Sequence, residues 1–239
     1  MKHSSRPVVV PMDLAWFGLL HAYLLLGERV IVVDAGYPSS PRRIRAALRR
    51  EGVSKADVSL ILLTHGHLDH IGGAHELRSE LGAPIALHRL DAEIARSGHD
   101  RPLKPTDLLG RLSLPFMPRR IAPFEPDLVH DGELDLAEFG VAGHTLHTPG
   151  HTPGSISVVL QEATVAGDLL AGGFLRGRAP REPWFADDRD QLRSSIETLL
   201  QRSNARLYVG HRGPLSSAAV ARRFDLPSSR SSSASPAPR

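Results

Sequence analysis

The spacing of apolar positions alternates short strands with helices along most of the chain. "AYLLLGERVIVVDAG" predicts two β-strands, over 22–26 and 30–34, with Gly27-Glu28-Arg29 as the turn between them. "SPRRIRAALRREGV" then takes helical spacing, with Ser40 near its N-cap and Gly52 at its end. Val58 to Leu63 is apolar without a break, which predicts a strand buried on both faces. A helix over about 70–81, a short strand in "PIALH" and a helix over about 90–97 follow. The second half predicts strands over 141–146, 155–160, 164–166 and 206–209, and helices over about 188–202 and 216–224. Strands and helices mixed in both halves predict a layered α/β domain with its helices outside the sheets. No internal sequence repeat is visible.

Two segments break this pattern. Residues 98–127 are Pro-rich and weakly periodic, with one helical turn expected near 106–112. They read as a long insertion, of the kind that forms lids and binding loops. Leu108, Leu109, Leu112, Leu114, Phe116, Met117 and Phe124 would be costly to leave in water, at roughly 1.5 to 3 kcal/mol for each that can be buried. They are expected to pack on the domain or to line a substrate pocket, with Arg119 and Arg120 adding a modest preference for an anionic group. The Ser/Pro/Ala-rich stretch 227–239 is expected to be a disordered tail, which leaves 1–226 as one domain.

Composition narrows the chemistry. The chain has no Cys, so disulfides, thiolate metal sites and cysteine nucleophiles are excluded. Net charge is +3 and the pI about 9.7, but the arginines are scattered and only 5% of residues are aromatic, so no nucleic-acid partner is expected. The N-terminal apolar run is broken by Pro11, Asp13 and His21, which does not suit a signal peptide. With no stretch of about 18 apolar residues, no membrane span is expected, and a cytoplasmic location is. Nothing in the sequence fixes an oligomeric state.

"THGHLDH" places His65, His67, Asp69 and His70 directly after the buried strand. On a helix His65 and His67 would point about 200° apart, but on a loop leaving a strand both can turn to one point. Neutral imidazole and carboxylate suit zinc where no thiolate is available. Four ligands on one short loop cannot wrap a single ion, so two adjacent ions sharing the loop fit better. The plainer alternative is a solvated His-rich loop; with only 13 His in 239 residues, chance argues against it. Further candidates stand at strand ends: His151 in "TPGHTPGS", Asp168 in "AGD" and His211 in "VGH". His147 lies four residues before His151, but Pro149 argues against a helix that would pair them.

Taken in order, "HAYLLLGERVIVVDAG", "THGHLDH", "TPGHTPGS", "AGD" and "VGH" resemble the metallo-β-lactamase superfamily of hydrolases over about residues 20–215. The resemblance implies an α/β fold, the four-layer αββα sandwich, with two related halves and an active site along one edge. It implies a first metal site of His65, His67 and His151, a second of Asp69, His70 and His211, and Asp168 bridging the two. Asp34 matches a position beside the metal loop, where it would orient a ligand. Two zinc ions are the implied cofactors, with Mn or Fe as alternatives. The implied reaction is attack of a metal-bridging hydroxide on an ester, thioester or lactone of a small molecule, with Asp69 as the catalytic group that orients the hydroxide and passes on its proton.

Departures from the family narrow the subclass. The thiolate-using lactamases need a Cys. The lactonases carry a Tyr three residues after the bridging Asp, where this chain has Ala171. Only residues 212–239 follow His211, which argues against the glutathione-binding helical domain of glyoxalase II. His21 stands where the family often has Asn; it reads first as a packed core histidine and otherwise as a candidate for the substrate pocket, as Phe116 and Met117 are. His75, His88 and His147 are expected to pack or to face solvent. The rival readings are a phosphodiesterase or nuclease on the same metal site, an iron-dependent oxygenase using only three ligands, against which the complete second ligand set argues, and a non-enzymatic metal-binding module.

Overall fold

The computed structural model describes residues 6–117, 119–173, 179–202 and 206–227. Its first sheet contains β1 (Val8–Asp13), β2 (His21–Leu26), β3 (Val30–Val33), β4 (Val58–Leu62), β5 (Ile85–His88) and β6 (Leu128–His130), in that spatial order. β1 to β3 run antiparallel; β3 to β6 run parallel. The parallel crossovers carry α1 (Pro41–Arg50), α2 (Leu68–Ile71), α3 (Ala74–Leu81), α4 (Ala92–Ser97) and α5 (Leu108–Ser113). The second half adds β7 (His144–His147), β8 (Ile156–Val159), β9 (Ala163–Val165), a small ribbon of β10 (Ala171–Gly172) and β11 (Pro180–Arg181), then β12 (Arg206–Tyr208) and β13 (Leu215–Ser216). Strands β7, β8, β9, β12 and β13 form the second large sheet, overlaid by α6 (Arg189–Arg202) and α7 (Ser217–Phe224).

Side-chain alternation builds the layers. In β3, Val30 and Val32 pack with Ile44, Leu48 and Leu77 of the helices, while Ile31 and Val33 face the other sheet. In β4, Ile61 joins the helical side and Leu60 and Leu62 the inner side. The inner layer gathers these with Ile156, Val158 and Val165 from the second sheet. Leu192, Ile196 and Leu199 of α6 close the far side over Leu146 and Val159. This is the αββα sandwich.

Several elements differ from the sequence expectation. β1 contains Pro11 and so breaks the strand pattern, but it lies at the sheet edge, where a missing N–H is tolerated. The helix expected over 70–81 is two, split at Gly72-Gly73. A Cβ on Gly73 would sit 2.5 Å from the Ala35 carbonyl oxygen, so this close approach to the loop after β3 requires glycine. The strand expected over 141–146 begins only at His144. Of the expected tail, residues 228–239 lie outside the described residues.

The insertion also departs from expectation. Asp107 caps α5 by accepting from Gly110 N–H at 2.8 Å. Gly110 is pressed so close to the Trp184 carbonyl that a Cβ would lie 2.4 Å from it. The helix is seated through these residues rather than through its leucines: Leu108, Leu109, Leu112 and Phe116 are exposed. Phe124 is buried in the first core, but the exposure of these four runs against the expectation that all seven would pack on the domain or line a pocket.

Candidate metal centre

One edge of the sandwich collects every ligand candidate. His65 and His67 leave the end of β4, and Asp69 and His70 lie in α2. His151 lies between β7 and β8, Asp168 follows β9 and His211 follows β12. The two sheets are tied at this point by Ile156 N–H donating to Thr64 O at 2.8 Å. Three groups have their ligand atoms within 4.8 Å of one another: His65, His67 and His151; His65, His70 and Asp168; Asp69, His70 and His211. Asp168 spans them. Its Oδ1 is 3.4 Å from His70 Nε2, and its Oδ2 is 3.0 Å from His211 Nε2 and 3.6 Å from His151 Nε2.

Hydrogen bonds behind the imidazoles turn Nε2 inward. With Nδ1 protonated, His70 donates to Asp34 Oδ2 at 2.9 Å, His151 to the Phe185 carbonyl at 2.7 Å and His65 to Thr64 Oγ1 at 3.0 Å. His211 Nδ1 bonds the Leu19 carbonyl. Thr64 passes the chain on: its hydroxyl and its N–H both donate to Asp34. Asp34 is buried and takes a left-handed φ of 64°, a conformation that Asp tolerates better than most residues. Bonds of this kind fix the tautomer of a metal-binding imidazole.

The donor set fits metal ions. Among the described residues, His70 Nε2 and Asp168 Oδ1 are buried without a hydrogen-bond partner, a costly state unless something else occupies them. His65 Nε2 and His151 Nε2 lie 3.2 Å apart with both Nδ1 protons committed elsewhere, so two lone pairs face each other. Burial lowers His65, lowers His151 and brings His67 down to about 3, which keeps these imidazoles neutral and their lone pairs free. The second group is more ionic. Burial opposes charge on His211, but Asp168 and Asp69 push it up to about 10. Burial likewise works to raise Asp69, yet His70 and His211 hold it at about 2. Two carboxylates among five imidazoles suit dications without thiolate.

A cavity of about 250 Å³ opens over this cluster. Its walls are largely apolar, with Leu20, Leu103, Met117, Trp184 and Phe185, and Asp69 and Asp168 are among the polar groups that line it. Met117 therefore lines the cavity as the sequence suggested. Phe116 does not; it is 82% exposed and outside the lining. His21 is also outside the lining, buried with Nδ1 2.9 Å from Asp13 Oδ1. His147 packs: it stacks on His88 at 4.3 Å and bonds the Pro153 carbonyl through Nε2 at 2.8 Å. The sequence reading missed Tyr37, Asp100 and Trp184. All three line the cavity, and burial pushes Asp100 up to about 7. Only the "DAGY" stretch, where Tyr37 follows three residues after Asp34, offered a signal.

Two sheets that deliver imidazoles and carboxylates to one edge define a metal-dependent α/β hydrolase. The chain belongs to the metallo-beta-lactamase superfamily, whose family model matches residues 16–211. It is 29% identical to a probable metallo-hydrolase of Methanocaldococcus jannaschii over 80% of this chain and 86% of that one. It is 34% identical to the hydroxyacylglutathione hydrolase GloC of Haemophilus influenzae over 65% of this chain and 69% of that one. The fold is similar to that of the BLEG-1 B3 metallo-beta-lactamase, with a TM-score of 0.65, 23% identity, and coverage of 90% of this chain and 97% of that one. Among the described residues, no helix is long and apolar enough to cross a membrane.

Proposed function

We propose that the chain is a dinuclear hydrolase that cleaves an ester, thioester or lactone bond in a small molecule with an apolar body. The observation that supports this most is Asp168, whose two oxygens approach imidazoles of both ligand groups. In this reading His65, His67 and His151 would hold one ion and Asp69, His70 and His211 the other, with Asp168 a ligand available to either. Zinc suits the donors best, with Mn or Fe as alternatives. Bound ions supply a nucleophile from water at neutral pH and a Lewis acid for a carbonyl oxygen. Asp34 keeps His70 in the productive tautomer. Asp69, among the polar groups lining the cavity, is placed to take a proton from the attacking water and return it to the leaving group. The apolar walls exclude water and bind the acyl part. The hydroxyacylglutathione hydrolase relative, matched over 69% of its length, keeps a thioester among the substrates.

Two measurements test this reading. Protein purified without chelator should carry close to two equivalents of metal, and one equivalent under metal excess would sink the dinuclear proposal. Turnover of p-nitrophenyl and thioester substrates should exceed that of bis-p-nitrophenyl phosphate and vanish with chelator; the reverse preference would favour the phosphodiesterase reading.

The cavity wall sets a further expectation. In a chain-length series of acyl esters, kcat/KM should rise with length in the wild type. Met117→Ala should flatten that rise, since Met117 lines the cavity, whereas Phe116→Ala should leave it unchanged. Equal effects of the two substitutions would show that the acyl group does not lie along this wall.

A further inference from the structure

Asp91 is fully buried at the start of α4, where an Asp usually caps the helix. Its side chain makes no cap hydrogen bond. Instead its Oδ2 accepts from Gly66 N–H at 2.8 Å and from the Thr152 hydroxyl at 2.6 Å. Its Oδ1 accepts from Gly154 N–H at 3.1 Å, with the Arg101 guanidinium 3.8 Å away. Gly66 is the residue between His65 and His67; Thr152 and Gly154 follow His151. One carboxylate thus holds the loop from the first half of the chain and the loop from the second half.

Both glycines pack close to this residue. A Cβ on Gly66 would lie 2.8 Å from Ile94 Cδ1 and 3.0 Å from Asp91 Cβ, and one on Gly154 would lie 2.6 Å from Asp91 Cγ. Neither glycine takes a positive φ, so it is the space beside Asp91, shared at Gly66 with Ile94, and not backbone conformation, that asks for glycine there. The loops need such a clamp. Neutral imidazoles with facing lone pairs, His65 and His151 at 3.2 Å, push apart until an ion lies between them. A buried carboxylate is tolerable only when donors saturate it, and here every close partner is a donor.

We propose that Asp91 is the positioning residue of the His65, His67 and His151 group, setting the separation of its two loops and so that group's affinity for a metal ion. The proposal rests on the metal reading of these histidines. Asparagine at this position keeps the size but turns its amide NH2 toward either Gly66 N–H or Gly154 N–H, which can only donate, so one loop loses its backbone hydrogen bond to this side chain.

The test is zinc affinity, measured on folded protein by competition with a chromogenic chelator, for wild type, Asp91→Asn and Thr152→Val. Circular dichroism and the melting temperature of the chelated proteins establish folding. Wild type should bind two equivalents. Asp91→Asn should hold one as wild type does and the other about 10- to 100-fold more weakly, the usual cost of losing a group that orients ligands. Thr152→Val keeps the carboxylate and both glycine contacts, so it should weaken the same equivalent by a smaller factor; it decides the matter if Asp91→Asn does not fold. A folded variant that melts lower when chelated, yet binds both equivalents at wild-type affinity, would make Asp91 merely structural and overturn the proposal. Wild type that binds no zinc would instead overturn the metal reading beneath it.

Discussion

Asp168→Ala is expected to lower kcat/KM about a thousandfold, equivalent to roughly 4 kcal/mol of transition-state stabilisation. His147→Ala, in a residue of the same His-rich stretch as His151, should change it less than about threefold. The contrast follows from position. Asp168 is buried, its oxygens lie 3.0 to 3.6 Å from three imidazoles of the cluster, and Oδ1 finds no hydrogen-bond partner among the described residues. Its removal takes a carboxylate from beside imidazoles of both groups and leaves His70 with Asp34 and Asp69, and His211 with Asp69 alone. His147 stacks on His88 and bonds a backbone carbonyl, so its loss costs packing only. The check is steady-state kinetics with metal content on both purified variants. Losses within tenfold of each other would show that the bridging role belongs elsewhere.

Gly210→Ala should abolish activity nearly as completely, although glycine to alanine adds one methyl group. A Cβ at 210 would lie 2.0 Å from Asp168 Oδ1 and 2.7 Å from His70 Cε1. The backbone cannot retreat, because Gly210 N–H donates to the Gly167 carbonyl at 2.8 Å and its own carbonyl accepts from His21 N–H at 2.8 Å. The two ligands must therefore move, and a displacement of about 1 Å in catalytic groups can cost on the order of a hundredfold. We expect a loss of about 10²- to 10³-fold in kcat/KM with reduced metal content and an unchanged circular dichroism spectrum. A variant that retained full metal and more than a tenth of wild-type activity would show that the edge is more compliant than its hydrogen bonds imply.

Local patterns were legible and long-range encounters were not. The run from Val58 to Leu63 announced its burial because both faces of β4 meet apolar layers. "THGHLDH" announced its chemistry because four donors fall on one short loop after that strand. Asp91 gave no signal of its role, since its partners Gly66 and Thr152 are 25 and 61 residues away. Tyr37, Asp100 and Trp184 reach the cavity only through tertiary packing. The leucines of α5 misled for the opposite reason: apolar spacing gives a face to a helix but does not say what covers it. Pro11 hid β1 because a sequence does not reveal which strand will be an edge.

The ligand candidates are divided along the chain, with His65 to His70 coming from the first sheet's loops and His151, Asp168 and His211 from the second's. Ions held there would link the two halves of the sandwich across their seam, and neither half could retain them after separation. Binding of this kind stabilises the closed chain by RT ln(1 + [L]/Kd), about 4 kcal/mol at a thousandfold excess over Kd, and contributes nothing once the halves part. Metal supply would then govern how long the polypeptide survives in the presence of proteases as well as how fast it turns over. Metal starvation would deplete the polypeptide as well as its activity.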